Sequence, residues 1–513
     1  MTRSGRFLGG LAFTYGYQGI LMVAGLLLTP FYLRKIGQHD YGLWLVATQL
    51  LTYLTLTDFG VVALLPQETA YATGRAGGSG NAKDLPEIVG QTIRLVLYQL
   101  PIVMVLALAL WLTIPADWYG LRWPLGIIML GYVIAFPLRV LPALLQGLQD
   151  LAFCSALQIV TWTISTAVTV WMVFAGWSLT ALAVGWLISQ TVTTPLYVYR
   201  LRTRYPEVLP KGLPQLTWDR ARKKLGKGSW TSVAQIAQLL MGNTDLLIIG
   251  KVLGPSAVVP YACTSKLVNV LANQVNMLMH VASPGLCELK TAGTRLKLFQ
   301  VVVALNHGIL SFSGLVFCVT LLLNQWFVTT WVTASQYGGF ALTGAILVNM
   351  LFVHWDTVAA YTVFCFGHQR RISLTNLGNG LMTAGACLGL TLLMGPIGAP
   401  LGSLAGTALV GLPFNLSVIA KDVGVSLPRL AISMLGSWSW RFGILAAATW
   451  AVAQRWSPKN LLEATAAGVC VTTVYLAVMI PNIMSSTLGD YIRPRLRQVS
   501  RRIRGVSEGV AVS

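Results

Sequence analysis

Two stretches of this chain, Leu151–Tyr199 and Ile372–Ala420, run for 49 residues each without an Asp, Glu, Lys, Arg or His. A soluble domain, with roughly a quarter of its residues charged, does not carry such runs. Each is interrupted once by a Gly-containing turn, Ala175-Gly176-Trp177-Ser178 and Gly395-Pro396-Ile397-Gly398. Each follows a short polar knot, Gly147-Leu148-Gln149-Asp150 and Gly367-His368-Gln369-Arg370. A chargeless run of this length, folded back once, fits two bilayer crossings of about 20 residues each. Other landmarks recur at a similar offset: Gly37 after Arg34-Lys35-Ile36 answers Gly254 after Lys251-Val252-Leu253, and Pro66 answers Pro284. A repeat of about 220 residues makes the chain a duplicated unit of membrane helices.

The whole composition agrees. Of 513 residues, 55% are hydrophobic and 10% charged, with a mean hydropathy of +0.67. The apolar runs are continuous and do not alternate at period two, so helices and not a barrel are expected. The reading is an all-α polytopic membrane protein of about 14 transmembrane helices. The expected spans are 8–33, 43–72, 88–114, 124–146, 151–174, 179–199, 228–250, 256–284, 298–323, 338–365, 372–394, 400–419, 431–453 and 462–484. The first run is long enough to span and lacks a small-residue cleavage site, so no removable signal is expected.

A net charge of +20 invites a nucleic-acid reading, but its distribution argues against one. With fourteen spans, the termini and even-numbered loops share one face. That face holds about 26 of the 36 Lys and Arg, against about six on the other (Arg34, Lys35, Arg122, Lys251, Arg455 and Lys459). Both termini should therefore be cytoplasmic, and the basic tail Asp490–Arg504 should lie on anionic membrane lipid, with no nucleic-acid partner.

The cysteines Cys154, Cys263, Cys287, Cys318, Cys365, Cys387 and Cys470 have no metal-ligand spacing and read as small buried hydrophobes. No phosphate-binding loop is present, and the outer loops are short, so neither ATP hydrolysis nor an extramembrane catalytic site is expected. No catalytic residue, metal or cofactor is assigned. Six spans precede a basic segment and the repeat restarts after it; six is even, so the copies enter the membrane in the same sense. Parallel repeats of this kind are related by a pseudo-twofold axis along the membrane normal and form a substrate cleft between lobes. The expected division is a six-helix lobe at 1–200, a basic cytoplasmic linker at 201–227, a second six-helix lobe at 228–420, an extra helix pair at 421–485 and a basic tail at 486–513.

The segment from Phe31 through Arg34-Lys35-Ile36-Gly37-Gln38-His39-Asp40-Tyr41-Gly42 to Trp44, then Asp58-Phe59-Gly60, resembles the N-terminal signature of Wzx-type polysaccharide flippases. These belong to the multidrug/oligosaccharidyl-lipid/polysaccharide exporter superfamily. Asn243-Thr244-Asp245 through Gly250-Lys251-Val252-Leu253-Gly254 resembles that family's seventh span. The resemblance implies translocation of undecaprenyl-diphosphate-linked oligosaccharide across the bacterial inner membrane by alternating access, for O-antigen, capsule or exopolysaccharide assembly. Its partners would be the polyprenyl-diphosphate oligosaccharide, membrane lipids, a polysaccharide polymerase and a chain-length regulator. Rival readings on the same scaffold are a cation-coupled drug exporter and a lipid II flippase; a membrane glycan polymerase or ligase is opposed by the short outer loops.

Ionisable residues within spans are costly and are candidates by default. Lys266 is the first choice for the substrate diphosphate, its rival role being an ion pair with Asp245. Arg139, Asp58 and Arg94 are further substrate-binding candidates; for Arg139 and Arg94 the alternative is snorkelling to headgroups. The resemblance to lipid II flippases implies a cation-coupling set of Asp245 with Asn376, Asn379 and Thr407, for Na+ or H+. His354 and Asp356, two apart, do not share a helical face and read as packing hydrogen bonds, with proton relay as the alternative. His280 and His307 read as structural, Glu68 as a residue near the cytoplasmic end of span 2, and Arg441 as one further intramembrane charge. Pro66 and Pro284 are expected to break their helices at matching places.

Overall fold

The computed structural model describes residues 3–75, 84–210, 212–436, 438–485, 489 and 493. Among them the chain is helical with no strand. Most of the basic tail lies outside the described residues. Contacts divide the chain into two compact units, Met1–Val259 and Pro260–Ser513. The first therefore retains the seventh apolar segment.

The first unit comprises α1 (Arg3–Ile36), α2 (Gln38–Leu54), α3 (Val61–Arg75), α4 (Leu85–Leu112), α5 (Arg122–Ala135), α6 (Val140–Gly147), α7 (Leu151–Phe174), α8 (Ser178–Arg204), α9 (Trp218–Gly242) and α10 (Asp245–Val252). The second comprises most of α11 (Pro255–Ala292), then α12 (Arg295–Trp331), α13 (Phe340–Cys365), α14 (Gln369–Met394), α15 (Gly398–Gly406), α16 (Leu412–Val423), α17 (Leu427–Leu435), α18 (Trp438–Arg455) and α19 (Leu461–Ser485).

Among the described residues, nine helices are long and apolar enough to cross a membrane, or up to eleven when each bent pair counts as one. One of the nine, Gln369–Val423, is 55 residues long, far beyond a single crossing. It doubles back at Gly395, and Gly398, Gly402 and Gly406 of α15 lie against the α14 backbone or side chains at Leu390, Cys387 and Asn379. The second chargeless run is thus a helical hairpin whose glycines let two backbones meet. Helices α11 and α18 occupy the positions expected of spans 8 and 13, but are not among the helices long and apolar enough to cross. Span 13 is shorter than its expected 431–453: the chain turns at Gly436, with φ of +48°, and α17 is a separate helix. Leu27, Leu393 and Leu462 are 71–81% exposed, which suits contact with lipid and not water.

The repeat is legible in local conformation. The end of α6 bonds Leu148 N to Leu144 O, Gln149 N to Gln146 O and Asp150 N to Leu145 O; the end of α13 bonds Phe366 N to Thr362 O, Gly367 N to Phe364 O and His368 N to Val363 O. Gln149 and Gly367 both take left-handed backbone, with φ of +62° and +91°. The next hairpin in each unit is then closed by a side-chain contact of opposite sense, with the carboxylate at the start of the first hairpin and at the end of the second. Asp150 meets Arg200 at 2.9 Å, while His368 meets Asp422 at 2.9 Å, with Lys290 joining that carboxylate at 3.0 Å. Outside the spans, Tyr205 also reaches Asp150, and burial, with the Asp150 charge, pushes its phenol above the usual range.

Candidate functional site

In the first unit the polar centre forms where two spans break. Asp58 ends a 3-10 turn, Phe59 is left-handed at φ of +48° and Gly60 at +70°. The Gly60 N–H donates to Asp58 Oδ1 at 2.9 Å, an Asx-type turn that replaces the helical ladder. A Cβ on Gly60 would strike the Gly228 backbone of α9, so only glycine fits this bend. α2 with its 3-10 turn and α3 consequently meet at 57°. The expected hinge at Pro66 is not where span 2 bends: Pro66 lies inside α3. α11 likewise runs unbroken through position 284.

The second break, a 3-10 turn at Phe136–Arg139 beside Pro137, brings Arg139 Nη2 within 3.4 Å of Asp58 Oδ2. Arg139 also donates to the Tyr132 hydroxyl at 3.2 Å, which in turn donates to Leu54 O at 2.7 Å. Gln99 donates to Asp58 O at 3.1 Å. Two expected substrate residues therefore meet each other, and Arg139 turns inward to a carboxylate instead of outward to headgroups. Asp58 is 1% exposed and Arg139 29%. Removing one partner leaves a buried charge unpaired, whereas removing both does not. Arg139→Met should lower stability by up to about 3 kcal/mol, less than for a fully buried pair because Arg139 is partly exposed. Adding Asp58→Asn should recover at least half of that loss in thermal unfolding of the detergent-solubilised protein; no recovery would deny the coupling.

Arg94 is engaged elsewhere. Its guanidinium donates to Pro214 O at 2.8 Å and to the Tyr98 hydroxyl at 3.0 Å. Pro210 and Pro214 cover Gly90, Arg220 pairs with Glu87, and Lys224 reaches Glu68 at 3.2 Å and Thr92 Oγ1 at 2.6 Å. The basic segment at 201–227 is thus packed along α3 and α4. Proximity of Lys224 to Glu68 was not readable in the sequence, where Lys224 is one of nine bases between Arg200 and Lys227. Asp245 opens α10 directly after the break at Asn243 and Thr244. Thr244 does not cap it; its hydroxyl turns back to Leu240 O at 2.8 Å and meets Tyr53 Oη at 2.8 Å.

In the second unit, Lys266 lies half-buried on α11, without a hydrogen bond or ion pair among the described residues. Its orientation is fixed by a neighbour. Thr264 Oγ1 accepts the Gly338 N–H at 2.8 Å, and Asn324 donates to Thr264 O at 3.0 Å and Thr343 Oγ1 at 3.2 Å. Two residues on, Lys266 is turned about 200° around the helix from that network.

A second polar group surrounds the five-residue π turn Thr407–Gly411. Asn415 donates to Asp356 Oδ1 at 2.8 Å, Thr383 to Asn379 Oδ1 at 3.2 Å, and Asn379 and Asp356 both line Gly411. Asn379 and Thr407 of the expected coupling set are therefore buried at or near this turn, and Asp356 is the carboxylate beside Asn379. Asn376 is half-buried and lacks a side-chain partner among the described residues. Sequence spacing did not place Asp356 beside Asn379, because the two come from different helices. His354 bonds Ser313 Oγ at 2.6 Å, a packing role. His307 lies against Gly436, and Arg441 stacks on Trp440 at 5.3 Å. The side chain of His280 lies outside the described residues. Among the described residues, no group of three or more His, Cys, Asp or Glu could hold a metal.

The family described as "Polysaccharide biosynthesis protein" matches residues 88–337. No curated protein matches. A solved structure of the lipid II flippase MurJ, in an inward closed conformation, aligns with a TM-score of 0.63 at 12% identity, covering 92% of this chain and 100% of that one. An inward-facing multidrug resistance MATE family transporter of the MOP superfamily aligns at 0.52 and 13%, covering 76% and 96%. The Vibrio cholerae MATE transporter VcmN aligns at 0.52 and 13%, covering 83% and 98%. At such identities the likeness is one of fold. The chain has the fold of this transporter superfamily, and its sequence resembles the superfamily's polysaccharide flippases. The family match is to polysaccharide biosynthesis, and the fold is one that transporters also have.

Proposed function

We propose that this transporter moves polyprenyl-diphosphate-linked oligosaccharide across the bacterial inner membrane by alternating access, supplying a surface polysaccharide. The family match supports a role in polysaccharide biosynthesis. The observation that carries the substrate class is the Lys266 ammonium, half-buried on α11 with no hydrogen-bond or ion-pair partner among the described residues. An uncompensated charge at membrane depth is costly, and a diphosphate anion would offset that cost while the substrate is bound. Asp58 pre-orients Arg139 as a secondary anion contact, and Arg94 keeps the basic segment on α4. Purified protein in liposomes should expose a fluorescent undecaprenyl-diphosphate oligosaccharide to an enzyme added outside. Exposure no faster than in protein-free liposomes, with transport of cationic drugs instead, would favour the exporter reading.

The candidates for coupling to Na+ or H+ are Asp245 in the first unit and Asn376, Asn379 and Thr407 in the second, all oxygen-bearing side chains. Asp245→Asn should lose the acceleration given by an imposed sodium or proton gradient at unchanged protein level; retained acceleration under both gradients would refute the assignment. Both termini are placed in the cytoplasm on the distribution of basic residues. In cysteine-free protein, a cysteine replacing exposed Ser335 should react with an impermeant reagent from outside the cell, and one replacing exposed Leu213 should not. The reverse pattern would invert the topology.

A further inference from the structure

Read from sequence, the seven cysteines show no close pair, yet the fold brings two of them together. Cys365 is the last residue of α13 and is buried; Cys287 lies on α11 and is exposed. The Cys365 thiol reaches Ser283 O of α11 at 3.5 Å, and Leu286, the residue beside Cys287, packs in one core cluster with Cys365. In an α-helix the carbonyl of residue 283 is the one that receives the N–H of residue 287, so Cys365 sits on the turn that carries Cys287. Contact between the helices does not depend on sulfur. Val275, Met279 and Leu286 of α11 pack with Ile309 of α12 and with Val358 and Cys365 of α13. Helices already held this closely leave little backbone movement for a bond whose geometry is demanding.

We propose that Cys287 and Cys365 form a peroxide-oxidisable pair that closes to a disulfide between α11 and α13. Exposed Cys287, as thiolate, attacks one oxygen of a hydroperoxide, becoming a sulfenic acid and releasing water or an alcohol. The Cys365 sulfur then attacks the sulfenic sulfur; the sulfur–oxygen bond breaks, water leaves and the disulfide forms. Two thiols are oxidised by two electrons and one peroxide is reduced, so no further reactant is needed. An accessible thiol beside a buried resolving thiol is the usual order in such pairs. In the topology proposed above the site faces the cytoplasm, where disulfides are transient and redox-responsive.

The test is covalent and independent of transport. Membrane vesicles containing the full chain are treated with hydrogen peroxide, and free thiols are alkylated before digestion and mass spectrometry. The expected product is a linked peptide containing Cys287 and Cys365, reversed by dithiothreitol and absent in Cys287→Ser. In Cys365→Ser, Cys287 should proceed to the sulfinic acid. Cys470, also exposed, is the internal comparison and should form no bond with either. The proposal is overturned if Cys287 in the unaltered chain goes to sulfinic acid or stays reduced while Cys365 remains a free thiol. It is equally overturned if Cys287 links to Cys470 instead.

Discussion

Lys266→Ala should slow flipping of the lipid-linked oligosaccharide by roughly 10- to 100-fold, the equivalent of about 1.5–3 kcal/mol for one hydrogen bond to a charged group. The variant should still reach the membrane. Its unfolding temperature should hold or rise, because a half-buried ammonium with no partner among the described residues is removed. A structural lysine would give the opposite pattern, lower stability with transport falling in proportion. Lys266→Arg should recover part of the rate, since charge is kept while the compact ammonium geometry is lost. Flipping at the unaltered rate in Lys266→Ala would remove the lysine from the substrate site and leave Arg139 as the next residue to examine.

The second large effect concerns folding. Gly402→Val should prevent the α14–α15 hairpin from closing. A Cβ there would overlap the backbone of Cys387, which cannot rotate away as a side chain would. Overpacking commonly costs about 1–3 kcal/mol where neighbours can relax, so a clash with backbone should exceed that range. The readout is the yield of monodisperse protein after detergent extraction. Gly389→Val, on the same hairpin but with open space at its Cβ position, should extract normally. Equal yields from both variants would show that the close approach is unimportant.

How far the sequence leads depends on the kind of interaction. The chargeless runs forecast the two hairpins because exclusion of charge is a local property, and the Gly395 turn lies where the second run is interrupted. The bend in span 2 was less legible. Pro66 is a proline within a span, yet α3 continues through it, and the bend comes from the Asp58 turn, left-handed Phe59 and the Gly228 backbone against Gly60. That last contact joins residues more than 150 apart, beyond any periodicity. The same holds for the site. Asp58, Arg139, Lys266, Asn379 and Thr407 stood out as polar groups in apolar surroundings, but the pairing of Asp58 with Arg139 and of Asp356 with Asn415 depends on where separate helices meet.

The opposite polarities of the Asp150–Arg200 and His368–Asp422 pairs bear on how duplicated chains can be recombined. Each pair closes the foot of one hairpin, so an intact hairpin keeps that pair, and a transplanted second hairpin leaves only Lys290 of α11 without its carboxylate. Moving a single helix between halves would set Asp150 opposite Asp422, two carboxylates, or His368 opposite Arg200. Moving the whole hairpin would create neither conflict. The smallest interchangeable module is therefore two helices and their turn, and crossovers inside it meet an electrostatic barrier that crossovers at its feet avoid.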